Sequence, residues 1–160
     1  MNMKKRKALL LAEKRYFDHL DCTIVDWLNT YGYRILQVSL GIVFIWFGLL
    51  KPFHASPASA LVAQTVYWVD PSWFIPFLGW WEVIIGLCLL YRPLIRIGLL
   101  LMAVQMAGTF LPLILLPEVV YGNSFFELTM AGQYVIKNLV LIGAAMVIGS
   151  RLRDDSCKLF

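Results

Sequence analysis

Five side chains in this sequence could do chemistry, and all five sit in or at the ends of long apolar runs: Lys51, Glu82, Gln105, Lys137 and Asn138. An ionisable residue inside a membrane span costs about 2.5–3.5 kcal/mol on insertion scales, so by default it marks a site and has a partner. Glu82 is the deepest of the set, and its candidate partners are Lys137 and Lys51. Two lysines against one glutamate leave a surplus positive charge. That suits an acidic or carbonyl-bearing ligand, such as a quinone head group, beside which Glu82 could take or give a proton. The structural alternative is an ion pair that fixes which helix faces which, with Gln105 and Asn138 as interhelical hydrogen-bond donors. Taken alone, Lys51 reads as an interfacial lysine whose stem lies along apolar surface while its head reaches water.

The elements that must position these residues are spans. Of the 160 residues, 60% are apolar and 15% are charged, with a mean hydropathy of +0.72; soluble domains carry about 25% charged residues. The expected fold is an all-α integral membrane protein, a four-helix transmembrane bundle with an amphipathic N-terminal helix. The expected spans are residues 34–53, 73–91, 94–116 and 133–150, each near the ~20 residues a helix needs to cross. Pro52 should end the first span and Pro112 should kink the third. Gly79 and Gly86 flank Glu82 at helical spacing, and small residues mark where membrane helices touch, so the glutamate should point into the bundle. Residues 1–33 read as a basic segment whose Leu10, Phe17, Leu20, Ile24, Trp27 and Tyr31 recur at helical spacing, as in a surface helix on anionic lipid. Residues 151–160 form a charged tail, and residues 58–69 read as a short amphipathic piece in the first outer loop.

Charge placement sets the expected orientation. Twelve of the 14 Lys and Arg residues fall in residues 1–34, at Arg92 and Arg96, and in the tail. The other side has only Lys51 and Lys137. By the positive-inside rule both termini should be cytoplasmic, as four spans also require. Glu82 then lies about 13 Å below the outer surface at about 1.5 Å per residue, and the polar set clusters in the outer half of the bundle. The charge of +4 follows the membrane and does not point to nucleic acid. Cys22, Cys88 and Cys157 form no CxxC pair, which argues against a zinc site or a membrane thiol oxidoreductase. His19 and His54 lie outside the spans, which argues against haem.

Three stretches of these spans resemble the DoxX-like membrane proteins, including the YkgB-like branch. They are Leu40-Gly-Ile-Val-Phe-Ile-Trp-Phe-Gly-Leu-Leu-Lys51-Pro-Phe53, Gly79-Trp-Trp-Glu82 with Gly86, and Gly132-Gln133-Tyr-Val-Ile-Lys137-Asn138-Leu-Val-Leu141. The resemblance covers about residues 34–149; the basic N-terminal segment lies outside it. It implies a four-helix bundle in the bacterial inner membrane, associated with redox processes or oxidative stress. It carries over no catalytic residue. The leading expectation is therefore an accessory protein without its own catalysis, with a polar pocket in the outer half of the bundle for a quinone-like or other small lipophilic ligand. Its partners would be the bilayer, a redox-enzyme subunit holding the redox centre, and a second copy of the chain. Two other readings stand beside it: a small proton-coupled transporter using Glu82, and a scaffold or assembly factor whose polar set only orders the helices.

Overall fold

The computed structural model describes residues 21–53, 56, 58–122 and 127–157, with side chains through residue 152. The chain divides into two compact units, Met1–Ile35 and Leu36–Phe160. In the first, residues 21–27 are helical and run into a π-helical turn, Leu28–Gly32. Thr30 Oγ1 donates to the Asp26 carbonyl at 2.8 Å, a back-bond that competes with regular helix hydrogen bonding. Every described side chain from Asp21 to Tyr31 is exposed. Leu10, Phe17 and Leu20 of the expected amphipathic helix lie outside the described residues. Ile24, Trp27 and Tyr31 lie within them, and Trp27 stacks at a tilt on Tyr31.

Among the described residues, seven α-helices follow: α1 (Tyr33–Leu50), α2 (Ser59–Thr65), α3 (Pro71–Leu90), α4 (Ile95–Thr109), α5 (Pro112–Leu115), α6 (Pro117–Val120) and α7 (Met130–Cys157). Four stretches among the described residues are long and apolar enough to cross a membrane: Asp21–Leu50, Pro71–Leu90, Arg92–Leu115 and Met130–Leu152. No strand forms among the described residues; one isolated bridge joins Tyr121 and Leu128. The expected boundaries shift where local chemistry intervenes. The second long helix begins at Pro71 because the Asp70 side chain caps it, accepting from the Ser72 N–H at 2.9 Å. That bond, reinforced by the Ser72 hydroxyl, holds the Asp70 carboxyl below its ordinary value. The last long helix begins three residues earlier than expected, at Met130. Thr129 Oγ1 accepts the Gly132 N–H at 3.2 Å and donates to the Val119 carbonyl at 2.6 Å. One hydroxyl thus satisfies an orphan helix donor and ties α7 to α6.

Pro112 does not kink a continuous third helix. The helix stops at Thr109, two turn residues intervene, and Pro112 occupies the first turn of α5, where its missing N–H costs nothing. The proline inside a long helix is Pro76, in α3. The expected amphipathic piece at residues 58–69 is helical only over Ser59–Thr65.

The glycines of α1 and α3 set how these two helices meet. A Cβ at Gly48 would lie 2.7 Å from the Gly79 carbonyl oxygen, and one at Gly79 would lie 2.6 Å from the Gly48 carbonyl oxygen. Gly41 and Gly86 repeat the arrangement two turns away, with a Cβ at Gly86 2.6 Å from the Gly41 carbonyl oxygen. Four glycines thus form two crossed pairs at which backbone rests on backbone, the close approach small residues permit. Near one end of this seam, buried Gln37 donates from Nε2 to the Leu89 carbonyl at 2.6 Å, satisfying an acceptor left open in the last turn of α3. A tight turn through Arg92–Leu94 returns the chain, and α4 packs on α3 with Gly98 against Cys88 and the Leu89 backbone. Ile85, Leu89, Ile95, Met102 and Ile148 are among the largest fully buried side chains.

Candidate functional site

The Gly48–Gly79 crossing decides where the chemistry sits. Lys51 is one turn beyond Gly48, and Glu82 is one turn beyond Gly79. A Cβ placed on Gly79 would meet the Lys51 Cβ at 2.9 Å, and one on Gly48 would meet the Glu82 Cβ at 3.0 Å. The two charged side chains therefore leave neighbouring backbones at the same level. The Lys51 ammonium forms an ion pair with Glu82 Oε2. The other carboxylate oxygen, Oε1, accepts from Gln105 Nε2 of α4 at 2.9 Å. One carboxylate thus joins three helices, and its two oxygens take different partners.

Burial gives this triad its weight. Lys51 is 5% exposed, and its side chain and that of Glu82 are 6% and 12% exposed. A charge pair this deep is weakly screened. Its attraction must offset the loss of hydration on both ions, which requires good geometry and further hydrogen bonds. The Gln105 amide supplies one of them. Lys51 is accordingly not an interfacial lysine reaching water. The glycine crossing beside it brings the carboxylate within reach, and the ammonium turns inward.

Lys137 is not a partner of Glu82. Its ammonium sits 5.7 Å from the centre of the Tyr134 ring, one turn back on α7, an arrangement that favours a cation over the ring face. Among the described residues, no carboxylate lies within ion-pair distance of it. Asn138 is not an interhelical donor either; its Nδ2 donates to the Tyr134 carbonyl of its own helix at 3.2 Å. Helical spacing put Lys137 and Asn138 near a bundle-facing stripe, but the preceding turn of the same helix offers a short polar side chain such as Asn138 a competing backbone partner.

The five residues nevertheless meet one space. A cavity of about 620 Å³ is lined by Lys51, Glu82, Gln105, Lys137 and Asn138 together. Its apolar walls come from Phe44 and Phe47 of α1, Leu61 and Val62 of α2, Leu78 of α3, Met106 of α4 and Leu141 of α7. Thr65 and Thr109 also line it, but both hydroxyls donate one turn back, to the carbonyls of Leu61 and Gln105. The contribution of α2 and the turn after it, including Val66 and Trp68, carried no signal in the sequence beyond a short amphipathic pattern. The volume falls within the ~300–1,000 Å³ of small-molecule sites, as does the pattern of apolar walls with a few convergent polar groups. Among the described residues, no three His, Cys, Asp or Glu side chains are grouped to hold a metal ion. Comparison with protein-family models, with curated proteins and with solved structures finds no match in any of the three.

Proposed function

We propose that this chain is a multi-pass protein of the bacterial inner membrane, with both termini in the cytoplasm. In this reading it is an accessory, redox- or stress-associated protein of the DoxX-like kind whose cavity holds a small lipophilic molecule bearing hydrogen-bond acceptors, a quinone among them. The observation that carries the reading is the cavity of about 620 Å³, apolar in its walls and bordered by the Lys51–Glu82–Gln105 triad. Four long apolar helices support membrane insertion, as do large exposed apolar side chains such as Val140, Met146, Leu100 and Trp46. The Lys and Arg distribution supports the orientation, and the three motif stretches support the family.

The test is calorimetric titration of the purified protein, in mild detergent, with a short-chain ubiquinone. Saturable binding is expected, weakened at least about tenfold, or about 1.4 kcal/mol, by Leu78→Trp, which fills the cavity, and by Asn138→Leu, which removes a donor N–H from its lining. No saturable binding, or binding indifferent to both substitutions, would sink the proposal. The ion pair favours a second, structural reading. Glu82 has both oxygens engaged by neighbouring helices, as a scaffold without a ligand would also need. In that case Glu82→Gln lowers stability and no quinone binds.

A further inference from the structure

The polar groups of the cavity are unequal in charge and in what they offer a ligand. Its described lining residues carry two ammonium groups, Lys51 and Lys137, and one carboxylate, Glu82. The carboxylate is used up: Lys51 takes one oxygen and Gln105 takes the other. That leaves Lys137, which faces only the Tyr134 ring and has no carboxylate within ion-pair distance among the described residues. The space is therefore positive by one charge. It is also rich in donors. An ammonium has three N–H groups and no acceptor, and an amide has two N–H groups. Lys137 has all three of its N–H groups to offer, and the amides of Gln105 and Asn138 each keep one N–H beyond the bond already made. The Glu82 oxygens, which would repel an anion, are turned to Lys51, just past the end of α1, and to Gln105 of α4.

Such a lining is complementary to a negative head that accepts hydrogen bonds, carried on an apolar body that fits the Phe47, Leu61, Leu78 and Leu141 walls. Resting on the pocket reading above, the geometry points to a lipophilic monoanion as the preferred ligand, with Lys137 as its counter-ion. The class is a single carboxylate or similar oxyanion on a hydrocarbon or ring body. The Tyr134 ring holds the ammonium on the cavity side of α7 until the ligand's head takes its place beside it. A charge-assisted hydrogen bond is about twice as strong as a neutral one, so the anion is selected over its neutral counterpart.

The experiment compares a matched pair of probes, dansyl-undecanoic acid and its methyl ester, at neutral pH on the full chain in mild detergent. Dansyl emission reports binding. The acid is expected to bind at least about tenfold more tightly than the ester, or about 1.4 kcal/mol. Lys137→Met should abolish that preference by weakening the acid far more than the ester, and Lys137→Arg should keep it. Oleate and phosphatidylglycerol, each tested as competitor, separate the two sources of such a head; displacement by either supports the anionic class. Displacement by a neutral ubiquinone as strong as by oleate overturns it. So does equal binding of acid and ester that Lys137→Met leaves unchanged, and in that case the pocket itself stands. If neither probe binds, the pocket reading falls and the ligand class falls with it.

Discussion

At the residue scale the Lys51–Glu82–Gln105 triad is the feature with the most at stake. Removing one member of a buried pair leaves the other charged and unpaired, which costs about 3–5 kcal/mol, whereas removing both charges together is often close to neutral. Lys51→Met and Glu82→Gln, each alone, should therefore lower the stability of the purified protein by about 3 kcal/mol. The double substitution Lys51→Met with Glu82→Gln should recover most of that loss. Thermal unfolding in detergent, arranged as a double-mutant cycle, reads the coupling. Additive losses would mean that the two groups do not act as a pair. Lys137→Met should leave stability close to that of the native chain, because Lys137 is exposed and, among the described residues, its ammonium has no ion-pair partner and lies over the Tyr134 ring of its own helix. The two lysines, which look alike in the sequence, thus separate in one experiment.

At the scale of elements, the crossed glycines of α1 and α3 do what the triad depends on. A methyl added at Gly48 or Gly79 meets backbone, not the tip of a flexible side chain. The helices must then part, which is the overpacking that costs about 1–3 kcal/mol. Gly48→Ala and Gly79→Ala should each destabilise by that amount and should also lengthen the Lys51–Glu82 contact. Gly143 supplies the control. It has open space where a Cβ would be, so Gly143→Ala in the middle of α7 should be neutral or stabilise by up to about 1 kcal/mol. Equal effects at Gly48 and Gly143 in a thermal shift assay would show that the glycines matter only through helix propensity. The glycine faces were legible in the sequence, since Gly79, Glu82 and Gly86 repeat at helical spacing. The start of α7 at Met130 was not. It rests on one threonine hydroxyl that bonds both to the helix end and to α6, and no periodicity marks such a residue.

At the scale of the whole molecule, the proposed orientation makes the loop after α2 extracytoplasmic and the Arg92 turn cytoplasmic. Tyr67 is 79% exposed and Arg92 is also exposed, so both accept a reporter cysteine. In a chain with Cys22, Cys88 and Cys157 replaced, a membrane-impermeant maleimide should label Tyr67→Cys in spheroplasts. It should label Arg92→Cys only after permeabilisation. The opposite pattern would invert the topology and place the cavity's polar groups in the cytoplasmic half.

What the sequence determined by itself is the inventory of long apolar helices and the inward bias of Glu82. Both follow from properties local to one helix: its length, its hydropathy and the residues that recur every three or four positions. What only the tertiary structure decided is pairing. Spacing along a helix says which face a residue occupies, but not which neighbour stands opposite or how near it comes. Lys51 and Lys137 were equivalent candidates for Glu82 on charge alone. The crossing of Gly48 on Gly79 brings the backbone of α1 close enough for Lys51 to reach the carboxylate. Lys137 stays over Tyr134 on α7. The same geometry turns a set of scattered polar residues into two groups bordering one cavity: the Lys51–Glu82–Gln105 triad, and Lys137, which has no carboxylate within ion-pair distance among the described residues.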